Sequence, residues 1–214
     1  MKGDGDCAYR SFIMGLVYNV KNQIISPDQT KAITSKFVGT NRSFKGQIAF
    51  KELSKNVRDL LSYGAIFITR VLKDDSFSFS DFAKIMEDLD LSRAIIFTLR
   101  HLVAFSLKPQ LLEMGITDEE MSPYLTMSNM GVFAGDFDLV HLGQIFSTKI
   151  DVFDLNQEFG GDRAFGDDSS SNIISMTYFS NHFDLLVDSW DESDSDTYKH
   201  QEAFEFEEIS KFAY

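Results

Sequence analysis

The segment Asp4-Gly5-Asp6-Cys7-Ala8-Tyr9-Arg10-Ser11 stands at the start of the chain, where a turn leads into a helix. A glycine in this position indicates a turn with unusual backbone angles, and Asp6 occupies the place of a helix N-cap. Apolar residues recur at i, i+4 and i+8, which predicts a helix over residues 7–20: Ala8, Phe12 and Leu16. Cys7, the one cysteine of the sequence, therefore lies at the first turn of a helix.

This position suits a reactive thiol. The thiolate is the nucleophilic form of cysteine, and the unpaired N–H groups of a helix N-terminus stabilise it. The neighbouring carboxylates of Asp4 and Asp6 oppose the thiolate unless they turn towards backbone N–H groups. A lone cysteine can also be a small buried core residue, and that reading stays open.

A thiol nucleophile needs a base, and the base needs a group that orients it. His182 stands at the turn into a β-prone run, and Asp184 follows two residues later. Side chains at i and i+2 of a strand share a face, so Asp184 can bind one ring nitrogen while the other faces the thiol. The remaining histidines stand in less suitable surroundings, in an apolar helix, a short helix and the acidic tail: His101, His141 and His200.

The rest of the chain divides into a helical stretch and a mixed one. Residues 26–126 are predicted to be mostly helical, with helices at about 47–61, 80–89 and 91–107, the last ended by Pro109. A capping box starts at Thr117. The second stretch is predicted as a helix, a strand, a loop and two further strands, at 136–146, 149–155, 156–171, 173–179 and 183–187. An acidic tail follows over 188–196, and the last residues, 204–212, are predicted to dock on the core as a short amphipathic segment.

Composition excludes several classes of protein. With 214 residues, 43% hydrophobic and 25% charged, the chain can bury a core. Its formal net charge of -13 argues against nucleic acid as a partner, since phosphate binding needs clustered lysine and arginine. A single cysteine permits no internal disulfide and no cysteine-rich zinc site, and suits a reducing compartment. The apolar run 94–107 is too short and too polar to cross a membrane, because Arg100 and His101 interrupt it.

Three segments together resemble the OTU (ovarian tumour) family of cysteine deubiquitinases. The segment Asp4–Ser11 resembles the family's Cys loop, Asp-Gly-x-Cys with an arginine three residues later. The segment Asn181–Val187 is similar to its His loop, and 131–153 to its variable loop and following strand. Asp6 stands where the family commonly has asparagine. The long helical stretch resembles OTU-like enzymes that intracellular bacterial pathogens inject, in which an added helical lobe holds ubiquitin.

The resemblance implies an α+β fold: a papain-like OTU core with a small central sheet flanked by helices, plus an inserted helical lobe. The sheet is expected from residues 149–155, 172–179 and 183–189. Residues 1–20 and 128–214 would form the catalytic core, and 21–127 the lobe, which is either a ubiquitin-binding element or extra core.

The resemblance also implies the site residues. Cys7 would be the nucleophile, His182 the base, and Asp184 or Asp4 the acid of the triad. The oxyanion would be bound by N–H groups of the Cys loop, formed by Gly5, Asp6 and Cys7. Substrate contacts are expected from the variable and His loops, at Gly135, Asn181 and Phe183. No metal and no cofactor is expected.

The function implied is hydrolysis of the isopeptide bond after the C-terminal glycine of ubiquitin, through a thioester. The partners would be ubiquitin or polyubiquitin chains, and the place of action a host-cell cytosol for a bacterial effector, or otherwise the cytoplasm. The acidic charge fits the basic recognition face of ubiquitin, and equally fits a need for solubility. Two alternatives stay open: a papain-like thiol enzyme with another ubiquitin-like or acyl substrate, and a ubiquitin-binding module without catalysis.

Overall fold

The computed structural model describes residues 5–46, 55–117, 128–157 and 160–187, and of residues 39–46 the backbone alone. These residues form six helices and four strands. In chain order they are α1 (Cys7–Lys21), α2 (Pro27–Gly46), α3 (Lys55–Lys73), α4 (Phe79–Glu87), α5 (Leu89–Glu113), α6 (Asp136–Phe146), β1 (Lys149–Asp154), β2 (Arg163–Gly166), β3 (Ile173–Phe179) and β4 (His182–Leu186). The α+β class expected from the sequence is confirmed.

The strands form one mixed sheet in the order β2-β1-β3-β4. β1 and β3 run parallel, and the outer pairs are antiparallel. Alternate residues of β1 and β3 face inwards and are buried: Ile150, Val152, Ile174 and Met176. α1 lies against this inner face, and Gly15 permits the approach, since a Cβ there would lie 2.6 Å from Cγ2 of Ile174. The sheet thus places the start of β4 beside the start of α1.

The helices between α1 and α6 share the core with these two. The ring of Phe146 on α6 lies 5.5 Å from that of Phe12 on α1 and 5.0 Å from that of Phe37 on α2. Burial of such aromatic rings supplies a large part of the hydrophobic stabilisation of a domain. The boundaries at 21 and 128 between a core and a lobe stay a prediction.

Two local predictions are wrong. Helix α5 does not stop before Pro109 but runs through it to Glu113, because Leu107 and Leu111 on either side are buried and hold the helix in place. Packing here outweighs the cost of one missing N–H. The predicted loop 156–171 contains strand β2, whose Phe165 is buried and which pairs with β1.

Other predictions agree in part or lie outside the described residues. The helix expected at 80–89 is α4, and the one expected at 47–61 corresponds to α3, which continues to Lys73. Most of the capping box after Thr117, the acidic tail and the amphipathic segment 204–212 lie outside the described residues. Where the chain is described, it contains no helix that is both long and apolar enough to span a membrane.

Candidate active site

Cys7 is the first residue of α1, and its side chain is buried, with 3% exposure. The chain reaches it through Gly5, whose φ of 80° lies in the left-handed region. A Cβ on Gly5 would lie 2.3 Å from the carbonyl oxygen of Gly131. The segment before the cysteine therefore packs directly on the loop before α6, and both the angle and the space require glycine.

Strand β4 contacts the cysteine and the first turn of α1 through the backbone of Phe183. The backbone N–H of Phe183 donates to Sγ of Cys7 at 3.4 Å. One turn further along α1, the hydroxyl of Ser11 donates to the carbonyl of Phe183 at 3.1 Å. The residue before Phe183 is His182, so the predicted base lies one residue along β4 from the contact with the cysteine.

His182 has its two ring nitrogens in different surroundings. Nε2 lies 3.1 Å from Oδ1 of Asp184, as the shared strand face predicts. A nitrogen facing a carboxylate carries the proton, so Nδ1 is the basic one in the neutral ring. Nδ1 is buried and has no hydrogen-bond partner among the described residues. It therefore makes no hydrogen bond to the Cys7 thiol in this structure, and its role as the base stays a prediction.

A tight turn sets the position of His182 on β4. Ser180 and Asn181 both have positive φ, 49° and 61°, and join β3 to β4. The hydroxyl of Tyr178 donates to Oδ1 of Asn181 at 2.9 Å and holds this turn. The turn fixes the register in which Phe179 pairs with His182.

Asp6 does not cap the helix as the sequence suggests. It stands at the N-cap position, but its side chain makes no capping hydrogen bond. Its Oδ1 instead accepts from the N–H of Gly131 at 3.1 Å and from Nε of Arg100 at 2.8 Å. The carboxylate is thus paired with a cation, which removes the objection that its negative charge opposes a thiolate.

Arg100 on α5 is the residue that sequence reasoning missed. Its side chain is fully buried, with 0% exposure. Besides Asp6, Nη2 donates to the carbonyl of Gly5 at 2.9 Å and to that of Val132 at 2.6 Å. The guanidinium lies 4.4 Å from the ring centre of Tyr9. The signal was present in the sequence, since a charged residue within a buried apolar run needs a buried partner.

Tyr9 extends this set of contacts to α6. Its hydroxyl donates to Oδ1 of Asp138, whose Oδ2 accepts from the N–H of Gly135 at 2.9 Å. Burial, followed by the neighbouring Asp138 carboxylate, raises the pKa of Tyr9 well above its usual value. The hydroxyl is therefore a permanent donor, and the start of α1 is tied to the start of α6.

Two other histidines lie in the core. The Nδ1 of His101 lies 3.0 Å from the carbonyl of Phe97, and the two rings are 4.1 Å apart. The ring of His141 lies nearly parallel to that of Phe137, at 6.4 Å. Burial lowers the pKa of both histidines. Packing and a backbone contact explain His101, whereas Nδ1 of His141 is buried without a hydrogen-bond partner among the described residues.

The remaining predicted residues are placed as follows. Asp4 lies outside the described residues. Gly135 precedes α6, and a Cβ added there would meet nothing within 4 Å, whereas Asn181 holds the β3–β4 turn. The side chain of Phe183 is buried against Tyr178, with ring centres 4.9 Å apart, and its backbone N–H contacts the thiol. That the last three contact a substrate stays a prediction. In the described part of the chain, no cluster of three His, Cys, Asp or Glu side chains is arranged to hold a metal ion.

Comparison with solved structures identifies the fold. The complex described as "The structure of h/ceOTUB1-ubiquitin aldehyde-UBCH5B~Ub" contains a chain with a TM-score of 0.65 and 18% identity, over 87% of this chain and 74% of that one. A ceOTUB1 chain in a complex with ubiquitin aldehyde and UBC13~Ub gives 0.65 and 18%, over 87% and 77%. A further h/ceOTUB1 complex, with UBC13~Ub, gives 0.63 and 17%, over 87% and 75%.

The sequence itself has no significant match among curated proteins. A family model does match, and it extends over residues 1–188, which is most of the chain. The model describes Peptidase C65, Otubain. The chain belongs to this family, the otubain cysteine peptidases of the OTU fold.

Proposed function

We propose that this protein is a deubiquitinase that hydrolyses the isopeptide bond after the C-terminal glycine of ubiquitin, with Cys7, His182 and Asp184 as its triad. The observation that carries the proposal is the contact between Phe183 N–H and the Cys7 thiol, because Phe183 stands between His182 and Asp184 on β4 and Cys7 begins a helix. Family membership and the ubiquitin aldehyde in the similar complexes support ubiquitin as the substrate.

In the first half of the reaction, Nδ1 of His182 takes the proton of the Cys7 thiol. The sulfur attacks the carbonyl carbon of the terminal glycine, and the carbonyl electrons move to oxygen. As the tetrahedral intermediate collapses, the C–N bond breaks and His182 gives its proton to the leaving lysine amine. The product is a thioester between Cys7 and ubiquitin.

In the second half, water attacks the thioester carbonyl while His182 accepts a proton from it. The C–S bond then breaks, the thiol regains its proton from His182, and ubiquitin leaves with a free carboxyl group that releases its proton to water. Asp184 orients the ring through Nε2–H and stabilises the imidazolium in both halves. Asp4 is the alternative acid of this triad.

The oxyanion needs donors that are fixed before the reaction. The N–H groups of the segment 5–7 are the proposed donors, because Gly5 turns the chain immediately before the nucleophile. Removing one such donor costs on the order of 100- to 1,000-fold in kcat. The reaction requires no redox or group-transfer chemistry beyond these residues and water.

The wider setting of the reaction is proposed from the sequence resemblance. Polyubiquitin chains are the expected partners, and the helical residues 21–127 are a proposed ubiquitin-binding lobe. Action as a bacterial effector in a host-cell cytosol is a proposal on the same basis.

The test is cleavage of isopeptide-linked di-ubiquitin by the natural sequence and by Cys7→Ala and His182→Ala. We expect cleavage by the natural protein only, measured as mono-ubiquitin released over time. Full activity of Cys7→Ala would contradict the assignment of the nucleophile. Binding of ubiquitin without cleavage by the natural protein would favour a binding module, and cleavage of another modifier alone would favour a different substrate.

A further inference from the structure

Three segments of the active site meet at one buried side chain, Arg100. Its donors reach the carbonyls of Gly5 and Val132 and the carboxylate of Asp6. Gly5 and Asp6 precede the nucleophile, whereas Val132 belongs to the loop before α6. Arg100 comes from α5, in the middle of the chain.

The contact with Gly5 constrains a peptide group that could otherwise rotate. The orientation of the peptide between Gly5 and Asp6 depends on ψ of Gly5 and φ of Asp6, and glycine, which has no Cβ, restricts its own ψ less than other residues do. In a trans peptide the C=O and the N–H point in opposite directions. Because Arg100 holds the Gly5 carbonyl at 2.9 Å, the N–H of Asp6 is fixed on the opposite side of the same peptide.

The surroundings of the guanidinium restrict the movement of Arg100 and so keep its hydrogen bond to the Gly5 carbonyl in place. The side chain is fully buried, and the ring of Tyr9 covers it at 4.4 Å. The Oδ1 of Asp6 lies 2.6 Å from Nη2, and the same oxygen accepts from the N–H of Gly131. A planar guanidinium has donors in a fixed fork, which a lysine ammonium cannot reproduce.

We propose that Arg100 is a positioning residue of the active site, which holds the Gly5–Asp6 peptide in the one orientation that directs its N–H at the oxyanion. This inference rests on the proposed cysteine hydrolase function. Arg100 acts through the backbone and does not touch the substrate. Its ion pair with Asp6 also keeps the carboxylate next to the nucleophile neutralised.

The first test is Arg100→Met, which retains an unbranched apolar side chain and loses every donor. We expect kcat for di-ubiquitin or a ubiquitin amide to fall about 100-fold, with KM within about threefold, since the lost interaction acts in the transition state. Arg100→Lys is expected to recover part of this loss. The control is Arg163→Met, which removes the surface ion pair of Arg163 with Asp136 and is expected to keep kcat within about twofold.

Arg100→Met leaves the carboxylate of Asp6 buried without its cation, and a second variant removes this charge as well. Asp6→Asn/Arg100→Met removes both charges, so the variant has no unpaired carboxylate. Its kcat is expected to stay low, because the carbonyls of Gly5 and Val132 still lack their donor. Recovery of kcat to within about threefold of the natural value would overturn the proposal, since Arg100 would then only neutralise Asp6. A rise in KM with unchanged kcat would overturn it as well.

Hydrogen exchange of the free protein tests the positioning without ubiquitin. In Arg100→Met, the amides of 5–8 and 128–135 are expected to exchange faster, while those of β1 and β3 keep their natural rates. Unchanged exchange in both loops would overturn the proposal. If the natural protein showed no activity on ubiquitin but the two loops loosened in this way, the substrate assignment would fail and the positioning role would stand.

Discussion

His182 is the residue on which the proposed chemistry turns, because its two nitrogens have separate tasks. Nε2 faces Asp184, and Nδ1 is buried without a partner among the described residues. Asp184 is itself half exposed, at 54% of its side chain, so water competes for the ring proton. The acid therefore matters mainly for the orientation and charge of the ring, and less than a fully buried acid would.

Replacing Asp184 tests this division of tasks. Asp184→Ala is expected to lower kcat about 10- to 100-fold, less than the roughly 10,000-fold seen when a buried triad acid is changed. Asp184→Asn retains an oxygen that accepts from Nε2–H and is expected to lose less than Asp184→Ala. Activity of Asp184→Ala equal to the natural value in a ubiquitin-amide assay would exclude Asp184 and leave Asp4 as the acid.

The same scale shows what a sequence can reveal about a site. Cys7, His182 and Asp184 could be proposed because each stands in a short local pattern whose geometry follows from a helix start or a strand. Arg100 and Tyr9 could not be paired with their partners, which lie 94 and 129 residues away. Only the fold determines which buried acid a buried donor meets.

At the scale of elements, the start of α1 depends on how closely two segments approach. Gly5 and Gly115 have the same φ of 80°. A Cβ added to Gly5 would collide with the carbonyl of Gly131, whereas a Cβ added to Gly115 would meet nothing within 4 Å. Gly115 follows the end of α5. An alanine at Gly115 therefore reports the cost of backbone strain alone, and an alanine at Gly5 reports strain together with a steric collision.

We expect Gly115→Ala to cost about 1 to 2 kcal/mol of unfolding free energy from the left-handed angle alone. Its kcat is expected to match that of the natural protein. Gly5→Ala adds the collision and is expected to lower kcat about 100-fold or more, because the nucleophile's loop must move. Urea unfolding and steady-state kinetics measure both. An equal kcat for the two variants would contradict the close packing of Gly5 on Gly131.

Helices and strands were predicted well where the periodicity of apolar residues was strong, and poorly where tertiary packing determined whether an element forms or where it ends. The start of α1 and the strands β1, β3 and β4 follow from local patterns. Strand β2 has one buried residue in four, too few for a visible alternation, and exists because β1 offers it a free edge. Helix α5 passes Pro109 because Leu107 and Leu111 are buried, and local propensity does not contain this information.

At the scale of the whole molecule, buried histidines make stability depend on pH. Burial holds the pKa of His101 and of His141 below the ordinary value of about 6.5. Below that value the unfolded chain binds more protons than the folded one. The unfolding free energy therefore falls as the pH drops from about 6.5 to the lowered pKa of the folded protein, and the full contribution of these histidines is present only above about 6.5.

His101→Gln removes one of these groups. Between pH 7.5 and 5.5 the variant is expected to lose less of its unfolding free energy than the natural protein, whose other titrating groups it shares. Urea unfolding at the two pH values measures the difference. An equal loss in both proteins would show that His101 does not titrate on unfolding in this range.

The central claim is that Cys7 attacks the carbonyl at the C-terminus of ubiquitin. The most direct measurement is the intact mass of the protein after reaction with ubiquitin that carries a thiol-reactive group at its C-terminus. We predict a gain of one ubiquitin for the natural sequence and none for Cys7→Ala. A folded natural protein that gains no mass, or a Cys7→Ala variant that gains the same mass, would contradict the claim.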